Sequence, residues 1–492
     1  MPVTPEPFDD LLTHAHETRV VVIGGGIAGL VTALECAKVG MPVTVLEAAA
    51  VFGGTVAEAE VAGLRVDTGA TSWSTGGAVR ALVEELGLGD LVVTPRDDRT
   101  WIAGLGRRGA AAPVPADSVL GIPANPWSEQ VRPFIGLDGA WRAYLDRLRP
   151  PFTIGKERNL DRLVRTRMGD GVVECMVAPL TSGRFGMRPS QVDVTAAAPG
   201  LASALTRTGS LGGAVADLLV DRSTGPAVES LEGGMPRLVD ALVGRLAALG
   251  ADLVPGAPVA GLERAADGRW LVAREPASDG SIPPVEPADV VFVATDRDAA
   301  VRLLATPAGG ALETRTNAAP PREIVTLVVD APALDAAARG AQVYAVPGSR
   351  RASGVVHQTA RWEWLARAAG PGRHVLSVAF DAEDGTLPTS GLDDADTAVL
   401  ARGEASALLG VELAADAVKG WHRAAFPLAR PASALGHVEA AEAVRAAVSG
   451  QRGLSVVGAW VAGSGLTRVV ADAQDEAERV RRTVLWGSTS AT

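Results

Sequence analysis

Apolar and polar positions along the first fifty residues follow a pattern of strand, helix and strand. Residues 19–23 form a short β-branched run, which predicts a buried parallel strand. A helical pattern over residues 30–39 follows a cluster of glycines and ends at Gly40. Residues 42–46 predict a second strand, which ends at Glu47. We therefore expect this segment to form one βαβ unit.

The rest of the chain alternates helical and strand patterns, which predicts an α/β fold. Helical spacing marks residues 78–86, 160–180 and 238–249, with a helix start near Asn159. Apolar runs predict strands at residues 252–254, 270–273, 289–295 and 453–458, and a charged terminal helix follows the last of them. Residues 113–151 are rich in proline and glycine and break this periodicity, so we place a passage between domains there.

The glycine cluster after the first strand carries the first chemical signal. Gly24, Gly26 and Gly29 form the pattern G-x-G-x-x-G at the start of a helix. Gly24 is expected to allow a tight turn, Gly26 to let the backbone approach a pyrophosphate, and Gly29 to let the helix pack closely on the strand. The helix N-terminus favours phosphate charge. Glu47 would bind ribose hydroxyls and disfavours a 2′-phosphate, which leaves FAD or NAD as the ligand.

The segment after Glu47 distinguishes these two ligands. The paired glycines Gly53 and Gly54 are followed by a strand that ends at Gly69 and Ala70. In this order of features the chain resembles the flavin amine oxidase superfamily. The resemblance implies FAD as the cofactor, and it implies a discontinuous FAD-binding domain onto which late segments fold back.

Later segments are similar to those of the porphyrinogen oxidases, the coproporphyrinogen III and protoporphyrinogen IX oxidases of haem synthesis. The matching segments are residues 113–123 (ending in Gly-Ile-Pro), residues 178–186, the turn at Gly233 and Gly234, Pro431 with Gly436 and His437, and the pattern G-x4-G-x-G at Gly458, Gly463 and Gly465. No single motif after the first is specific, and their order carries the resemblance. It covers nearly the whole chain.

The expected architecture is a Rossmann-like FAD-binding domain, discontinuous over residues 1–95, 229–300 and 445–492. A largely helical middle region (96–228) and a mixed-sheet substrate domain (301–444) complete it. Residues expected at the cofactor are Gly24, Gly26, Ile27, Ala28, Gly29, Glu47, Gly53, Gly54, Gly69, Ala70, Val259, Ala294, Phe426, Gly458, Gly465 and Leu466. Substrate candidates are Gly183, Phe185 and Arg184, with Arg188 as a further partner for propionates. We assign no catalytic side chain, because flavin N5 is the reactive centre.

Four departures from the family pattern bear on function. Val51 stands where many relatives have an arginine that meets the FAD phosphates, and Phe426 stands where we align a tryptophan. Ala432 and Ser433 replace glutamine and tyrosine, and Ala473 replaces a late glycine. These changes affect predicted flavin contacts and substrate choice, so an FAD-binding paralogue without turnover stays an alternative.

Composition limits which binding partners and which cellular compartment are expected for this chain. The formal charge of −11 and the pI near 5.2 argue against nucleic acid as a partner. No apolar run reaches the ~20 residues that span a bilayer, although a peripheral membrane contact stays open. Cys36 and Cys175 lie far apart without metal-ligand spacing, which fits a cytoplasmic location. The six histidines show no metal-binding spacing, so we expect no metal site.

The expected activity is FAD-dependent oxidation of coproporphyrinogen III to coproporphyrin III by dioxygen, in haem biosynthesis. In its acidic balance and its lack of a membrane span the chain resembles the soluble bacterial coproporphyrinogen oxidases more than the membrane-bound protoporphyrinogen oxidases, and this resemblance implies coproporphyrinogen III as the substrate. An amine or amino-acid oxidase is the other enzymatic alternative, but no catalytic lysine is identifiable among Lys38, Lys156 and Lys419. Other haem-pathway enzymes are candidate partners, and the oligomeric state is left open.

Overall fold

The computed structural model describes residues 8–106, 108–149, 157–220, 227–276, 280–307, 320–382 and 385–486. Its strands are β1 (Val20–Ile23), β2 (Val43–Leu46), β3 (Glu58–Val61), β4 (Leu64–Asp67), β5 (Trp73–Ser74), β6 (Val92–Val93), β7 (Thr100–Leu105), β8 (Ala110–Pro113), β9 (Ser118–Val119), β10 (Ile122–Pro123), β11 (Val228–Leu231), β12 (Asp252–Val254), β13 (Val259–Arg264), β14 (Trp270–Arg274), β15 (Glu286–Ala288), β16 (Val290–Val293), β17 (Pro321–Asp330), β18 (Gln342–Ala345), β19 (Gly354–His357), β20 (Arg373–Asp381), β21 (Val418–Pro427) and β22 (Leu454–Val456).

The helices complete the order of elements. They are α1 (Phe8–Glu17), α2 (Ile27–Ala37), α3 (Gly77–Glu85), α4 (Arg132–Tyr144), α5 (Leu160–Met168), α6 (Asp170–Val172), α7 (Ala178–Phe185), α8 (Val194–Ala197), α9 (Leu201–Thr208), α10 (Leu211–Val220), α11 (Pro236–Ala248), α12 (Arg297–Leu304), α13 (Gln358–Arg361), α14 (Glu363–Ala369), α15 (Asp394–Leu409), α16 (His437–Ser449), α17 (Ala459–Ala462) and α18 (Leu466–Trp486). A π-helical turn at Val173–Val177 connects α6 to α7.

A five-stranded parallel sheet in the order β12-β2-β1-β16-β22 contains the predicted βαβ unit. Its central strand is buried on both faces because its side chains alternate. Val20 and Val22 pack towards α2, α11 and α18, whereas Val21 and Ile23 pack towards the antiparallel β13–β15 layer and α12. The sheet therefore lies in the middle of three layers, and all of its carboxyl ends point to one edge.

A second, seven-stranded sheet has the order β21-β17-β20-β19-β18-β7-β8. It is mixed, because β18 and β7 pair in parallel while the other neighbours are antiparallel. Helix α15 covers one face with Ala398, Ala401, Ala405 and Leu408. The opposite face carries Tyr344, Thr326 and Ser377 and points towards the helical region. The predicted α/β class with a mixed second sheet is confirmed.

A helical region over residues 157–220 has its own core, formed mainly by α5 and α7–α10. Asn159 begins α5 as predicted, because its side chain accepts a hydrogen bond from the Arg162 backbone N–H at 3.0 Å. The predicted helical stretch 160–180 is not continuous. Gly169 ends α5 with φ +94°, a conformation that glycine adopts without strain.

Three expected features differ from the structure. Residues 100–113, assigned to the helical region, form β7 and β8 of the seven-stranded sheet. Residues 437–449 form α16, which packs under β22 across the expected boundary at residue 445. The stretch rich in proline and glycine contains α4, which has Pro133 in its first turn, where the missing N–H costs nothing, and which is interrupted at Gly136, where φ is +64°. Among the described residues, no helix is long and apolar enough to cross a membrane.

Asp67, at the end of β4, gives the fold a measurable dependence on pH. It accepts a hydrogen bond from the Met235 backbone N–H at 3.1 Å and keeps some accessible surface. Burial raises its pKa from 3.8 to about 7. The folded chain therefore holds this proton more tightly than the unfolded chain, and raising the pH from 3.8 to about 7 should lower stability.

We predict that Asp67→Asn reduces this loss, because the amide keeps an oxygen for the Met235 N–H and does not ionise. The apparent melting temperature of the two proteins, measured from pH 4 to 8, checks the prediction. Wild-type and variant curves that stay parallel over this range would contradict it.

Candidate active site

The turn between β1 and α2 is closed on one side by backbone contacts. Gly24 has φ +107°, and a Cβ there would lie 2.7 Å from the carbonyl oxygen of Ala294. A Cβ at Gly29 would overlap the carbonyl oxygen of Gly24. Both positions therefore require glycine, since α2 and β16 approach the turn without room for a side chain.

Gly26 faces the other way, towards open space. A Cβ at Gly26 would come no closer than 4.0 Å to the Gly53 oxygen or to Gly54 Cα. The two glycine turns are tied together, because the Gly53 N–H donates to the Gly25 oxygen at 2.9 Å. Ile27 and Ala28 then start α2, whose first turn contains no acidic residue. The unpaired N–H groups of this helix end thus face a space that favours an anion.

Glu47 lies at the carboxyl end of β2 and is only partly buried. Its carboxylate accepts hydrogen bonds from the backbone N–H of Gly25 at 2.6 Å and of Ala49 at 2.7 Å. Its backbone oxygen accepts from the Ala257 N–H at 2.7 Å, two residues before Val259. The acid thus holds the glycine turn in place and retains lone pairs for a ligand hydroxyl.

The late glycines bring a second helix N-terminus to the same edge. Gly458 follows β22 with φ +124°, and Gly465 precedes Leu466 with φ +107°. Leu466 is the first residue of α18, a 21-residue helix that packs against α2. A Cβ at Gly465 would meet no described atom within 4 Å, so this turn is also open. The positive ends of two helix dipoles therefore lie at this edge, where both favour a negatively charged ligand.

Gly69 and Phe426 bring the seven-stranded sheet next to the segment that follows β4. A Cβ at Gly69 would overlap the Thr55 oxygen and would lie 3.4 Å from the ring of Phe426, which is on β21. The Ala70 N–H donates to the same Thr55 oxygen at 2.8 Å. Thr55 itself directly follows the glycine pair Gly53 and Gly54, so this contact adjoins the glycine turns.

The three predicted substrate residues have different surroundings. Gly183 is buried, and a Cβ there would overlap the ring of Tyr344. Arg184 is exposed, and Phe185 packs partly against the helical core. None of these three lines the cavity described next, whereas the neighbouring Arg188 does.

A cavity of about 1030 Å³ opens between α7, the start of β17 and the loop that joins β18 to β19. Ser182, Gly186 and Arg188 contribute to its lining, and so do Arg350 and Arg351 of the loop. Arg430 lines the end nearest the late glycines, because its backbone oxygen accepts from the Ser464 N–H at 3.0 Å. The cavity therefore adjoins the predicted cofactor edge.

The acidic residues of this cavity are already engaged. Asp381 binds Arg322 through two hydrogen bonds of 2.5 and 2.8 Å, and Glu404 accepts from the Ala352 N–H at 3.4 Å. Arg350 and Arg351 form no hydrogen bond or ion pair with the side chains or backbone of the described residues. The cavity consequently carries an excess of positive charge in a chain of net charge −11.

Sequence analysis missed Arg350, Arg351 and Arg430 as site residues. The first two lie in a turn that no family motif marks, and their place at the cavity depends on pairing between distant strands. The only local signal was two adjacent arginines after Gly348 and Ser349.

The departures from the family pattern can be located as well. Val51 is 72% exposed and leaves the edge of the glycine turn without a side-chain cation. Ala473 is fully buried in α18 on the side that packs against α2, where its methyl group fits. Ala432 packs against Gly463, which leaves no room for a side chain there.

Fold and site together define a dinucleotide-binding flavoprotein of the oxidoreductase class. The model of the family described as flavin containing amine oxidoreductase matches residues 27–481. The chain belongs to this family, and it is an FAD-dependent oxidoreductase, as its resemblance to the flavin amine oxidase superfamily implied.

Three relatives extend the comparison. A coproporphyrinogen III oxidase from Propionibacterium freudenreichii subsp. freudenreichii is 28% identical over 97% of this chain and 93% of its own length. A coproporphyrinogen III oxidase from Mycobacterium tuberculosis (strain ATCC 25618 / H37Rv) is 35% identical over 46% of this chain and 50% of its own length. A solved chain from Exiguobacterium sp. 255-15, provisionally named a protoporphyrinogen oxidase, has a TM-score of 0.81 at 24% identity and covers 94% of this chain and 99% of its own.

We predict that Glu47→Ala weakens FAD binding by about 1–3 kcal/mol, because it removes charged acceptors from the site. Glu47→Gln should weaken FAD binding less than Glu47→Ala does, since it keeps one oxygen for a hydroxyl or for the Gly25 N–H. Quenching of FAD fluorescence on titration of apoprotein measures both affinities. The exposed Glu412→Ala is the matched control. An unchanged affinity in Glu47→Ala would remove this residue from the site.

Proposed function

We propose that this chain oxidises coproporphyrinogen III to coproporphyrin III in haem biosynthesis, with dioxygen as the electron acceptor. The observation that carries the substrate choice is the arginine-rich cavity beside the cofactor edge. The names of the relatives support the same reaction, since the one that aligns over 97% of the chain is a coproporphyrinogen III oxidase.

In this proposal, residues from three parts of the chain hold FAD. The open backbone at Gly26, Gly54 and Gly465, with the starts of α2 and α18, binds the pyrophosphate. Glu47 and Val259 lie at the adenosine end, and Gly69, Ala70 and Phe426 lie at the flavin end. Gly24, Gly29, Gly53, Ala294 and Gly458 shape the turns. The expected division into three parts belongs to the same proposal, with residues 100–113 moved to the substrate sheet.

When bound, FAD supplies a ring that accepts two electrons and a proton from a CH₂ bridge of the substrate and passes them on to dioxygen. The chain's own residues orient the macrocycle. Arg322 donates to the carbonyl oxygens of Ser182 and Gly183 at 3.2 Å each and thereby fixes α7 as a cavity wall. The pyrrole proton leaves to water in this open cavity, so the reaction needs no dedicated base.

Size and charge both suit a cyclic tetrapyrrole with carboxylate groups. The volume of about 1030 Å³ lies at the upper end of small-molecule sites, which span roughly 300–1,000 Å³. Arginines bind carboxylates in bidentate geometry, and here the cavity's own acids do not neutralise them. A porphyrinogen with four propionates can pair with more of these arginines than a porphyrinogen with two.

Oxidation of amines is less well supported. Lys38 binds Glu35 and Glu85 through its ammonium group, and Lys419 donates to the Asp416 backbone oxygen. Neither of these lysines lines the cavity. Lys156 lies outside the described residues, so no described lysine is in position to activate water at the flavin.

We also propose a cytoplasmic location with a peripheral membrane contact and other haem-pathway enzymes as partners. Both cysteines are free thiols, which suits a reducing compartment. Trp127, Trp141 and Tyr144 contact one another on the surface, with Arg147 over the tyrosine ring at 5.1 Å. Aromatic side chains next to arginine are typical of the interface between water and anionic lipid.

The decisive experiment offers substrates to the FAD-loaded enzyme without oxygen and follows bleaching of the flavin. Coproporphyrinogen III should reduce the flavin fastest and protoporphyrinogen IX more slowly, because fewer carboxylates meet the arginines. A panel of amines is the control. Bleaching by amines alone would overturn the proposal, and bleaching by none of these compounds would favour an FAD-binding paralogue without turnover.

A further inference from the structure

The loop that joins β18 to β19, residues 346–353, is held rigidly at the cavity. We call it the arginine loop. The Val346 N–H donates to the Ala103 oxygen and the Ser353 N–H to the Ala379 oxygen, each at 2.9 Å. Within the loop, the Ser349 N–H donates to the Val346 oxygen at 3.0 Å. Strands β7 and β20 therefore fix the two ends of the backbone segment that carries Arg350 and Arg351.

Two further contacts fix the tip of the loop. Gly104 has φ +90°, and Ser349 packs where a side chain at Gly104 would lie. Ala352 is buried, and its N–H donates to Glu404 at 3.4 Å. Glu404, an acid that lines the cavity, is thus bound to the backbone between Arg351 and Ser353. It supports the loop without forming an ion pair with either guanidinium.

Arg350 and Arg351 themselves are exposed and without a partner among the described residues. Because the backbone is already anchored, the entropy cost of binding an anion is confined to ordering the two arginine side chains. The fork of a guanidinium matches a carboxylate. The arrangement is that of a carboxylate receptor at the mouth of the cavity.

The loop is attached to parts of the fold that carry no predicted cofactor residue. Its backbone bonds to β7, β20 and α15, whereas Arg430, elsewhere in the cavity lining, bonds to Ser464 beside the late glycines. A substrate carbon at the flavin would therefore leave other parts of the macrocycle free to reach the loop. Carboxylates on those parts are the ones that the loop can bind.

We propose that Arg350 and Arg351 form a carboxylate subsite that selects porphyrinogens by their number of carboxylate side chains. This inference rests on the proposed function. The loop binds the propionates that coproporphyrinogen III has and protoporphyrinogen IX lacks. It contributes to binding and leaves the chemical step unchanged, because it lies away from the reacting carbon. The subsite thus acts on KM and on selectivity.

The test compares wild type, the double variant Arg350→Gln/Arg351→Gln and the control Arg245→Gln, an exposed arginine of α11 that lies outside the cavity. For the double variant we expect KM for coproporphyrinogen III to rise about tenfold, which is the effect of losing two exposed charge pairs. The value of kcat should stay within about twofold of the wild-type value. KM for protoporphyrinogen IX should change by less than about twofold. FAD content and melting temperature report on folding.

Equilibrium binding provides a readout that does not need turnover. Quenching of porphyrin fluorescence should show weaker binding of coproporphyrin III by the double variant and unchanged binding of protoporphyrin IX. Equal losses for both porphyrins, or a double variant that behaves like Arg245→Gln, would overturn the subsite. A wild type that binds coproporphyrin III through the loop but oxidises neither porphyrinogen would support the subsite and reject the proposed function.

Discussion

The structure depends on one close approach of three backbones, at Gly24, Gly29 and Ala294. Here the first strand, the helix that follows it and the neighbouring strand of the sheet meet without room for a Cβ atom. The contact fixes where α2 begins, so its N-terminal N–H groups project from the edge of the sheet. Every other part of the cofactor edge, from the glycine pair at Gly53 to the start of α18, is arranged around that helix end. A side chain at either glycine would separate α2 from the sheet and with it the layer that α18 and α11 complete.

Charge is distributed unevenly over this acidic chain. Some surface arginines pair with nearby acids, as Arg165 does with Asp161 and Asp170, whereas others, such as Arg245, form no ion pair among the described residues. The two arginines of the loop differ from Arg245 because they line a cavity whose acids are engaged elsewhere. The overall negative charge opposes polyanions such as nucleic acids, while the local positive potential at the cavity favours a small anion such as the proposed substrate.

Sequence patterns predicted the parts that depend on neighbours along the chain. The βαβ unit, the cap at Asn159 and the class of the fold were recoverable because turns, caps and periodicity are local signals. The parallel pairing of β7 with β18 was not, since Gln342 meets Thr100 across more than two hundred residues of intervening chain. The same long-range pairing carries Arg350 and Arg351 to the cavity, and this is why the arginine loop escaped sequence analysis. The glycines of the predicted cofactor edge were easier to single out, because their constrained backbone roles mark them in the sequence.

Gly183 fixes how closely α7 approaches the seven-stranded sheet beside the cavity. Because this glycine lies directly on the Tyr344 ring, the distance between helix and sheet is set by the thickness of an aromatic ring and not by an adjustable side chain. Tyr344 is itself held by a hydrogen bond from its hydroxyl to Gln342 at 3.0 Å. Neither residue lines the cavity, but Ser182 and Gly186, on either side of Gly183 in the chain, do. Evolution or design that changes the tyrosine would therefore have to change the glycine with it, as a matched pair, if these lining residues are to keep their place.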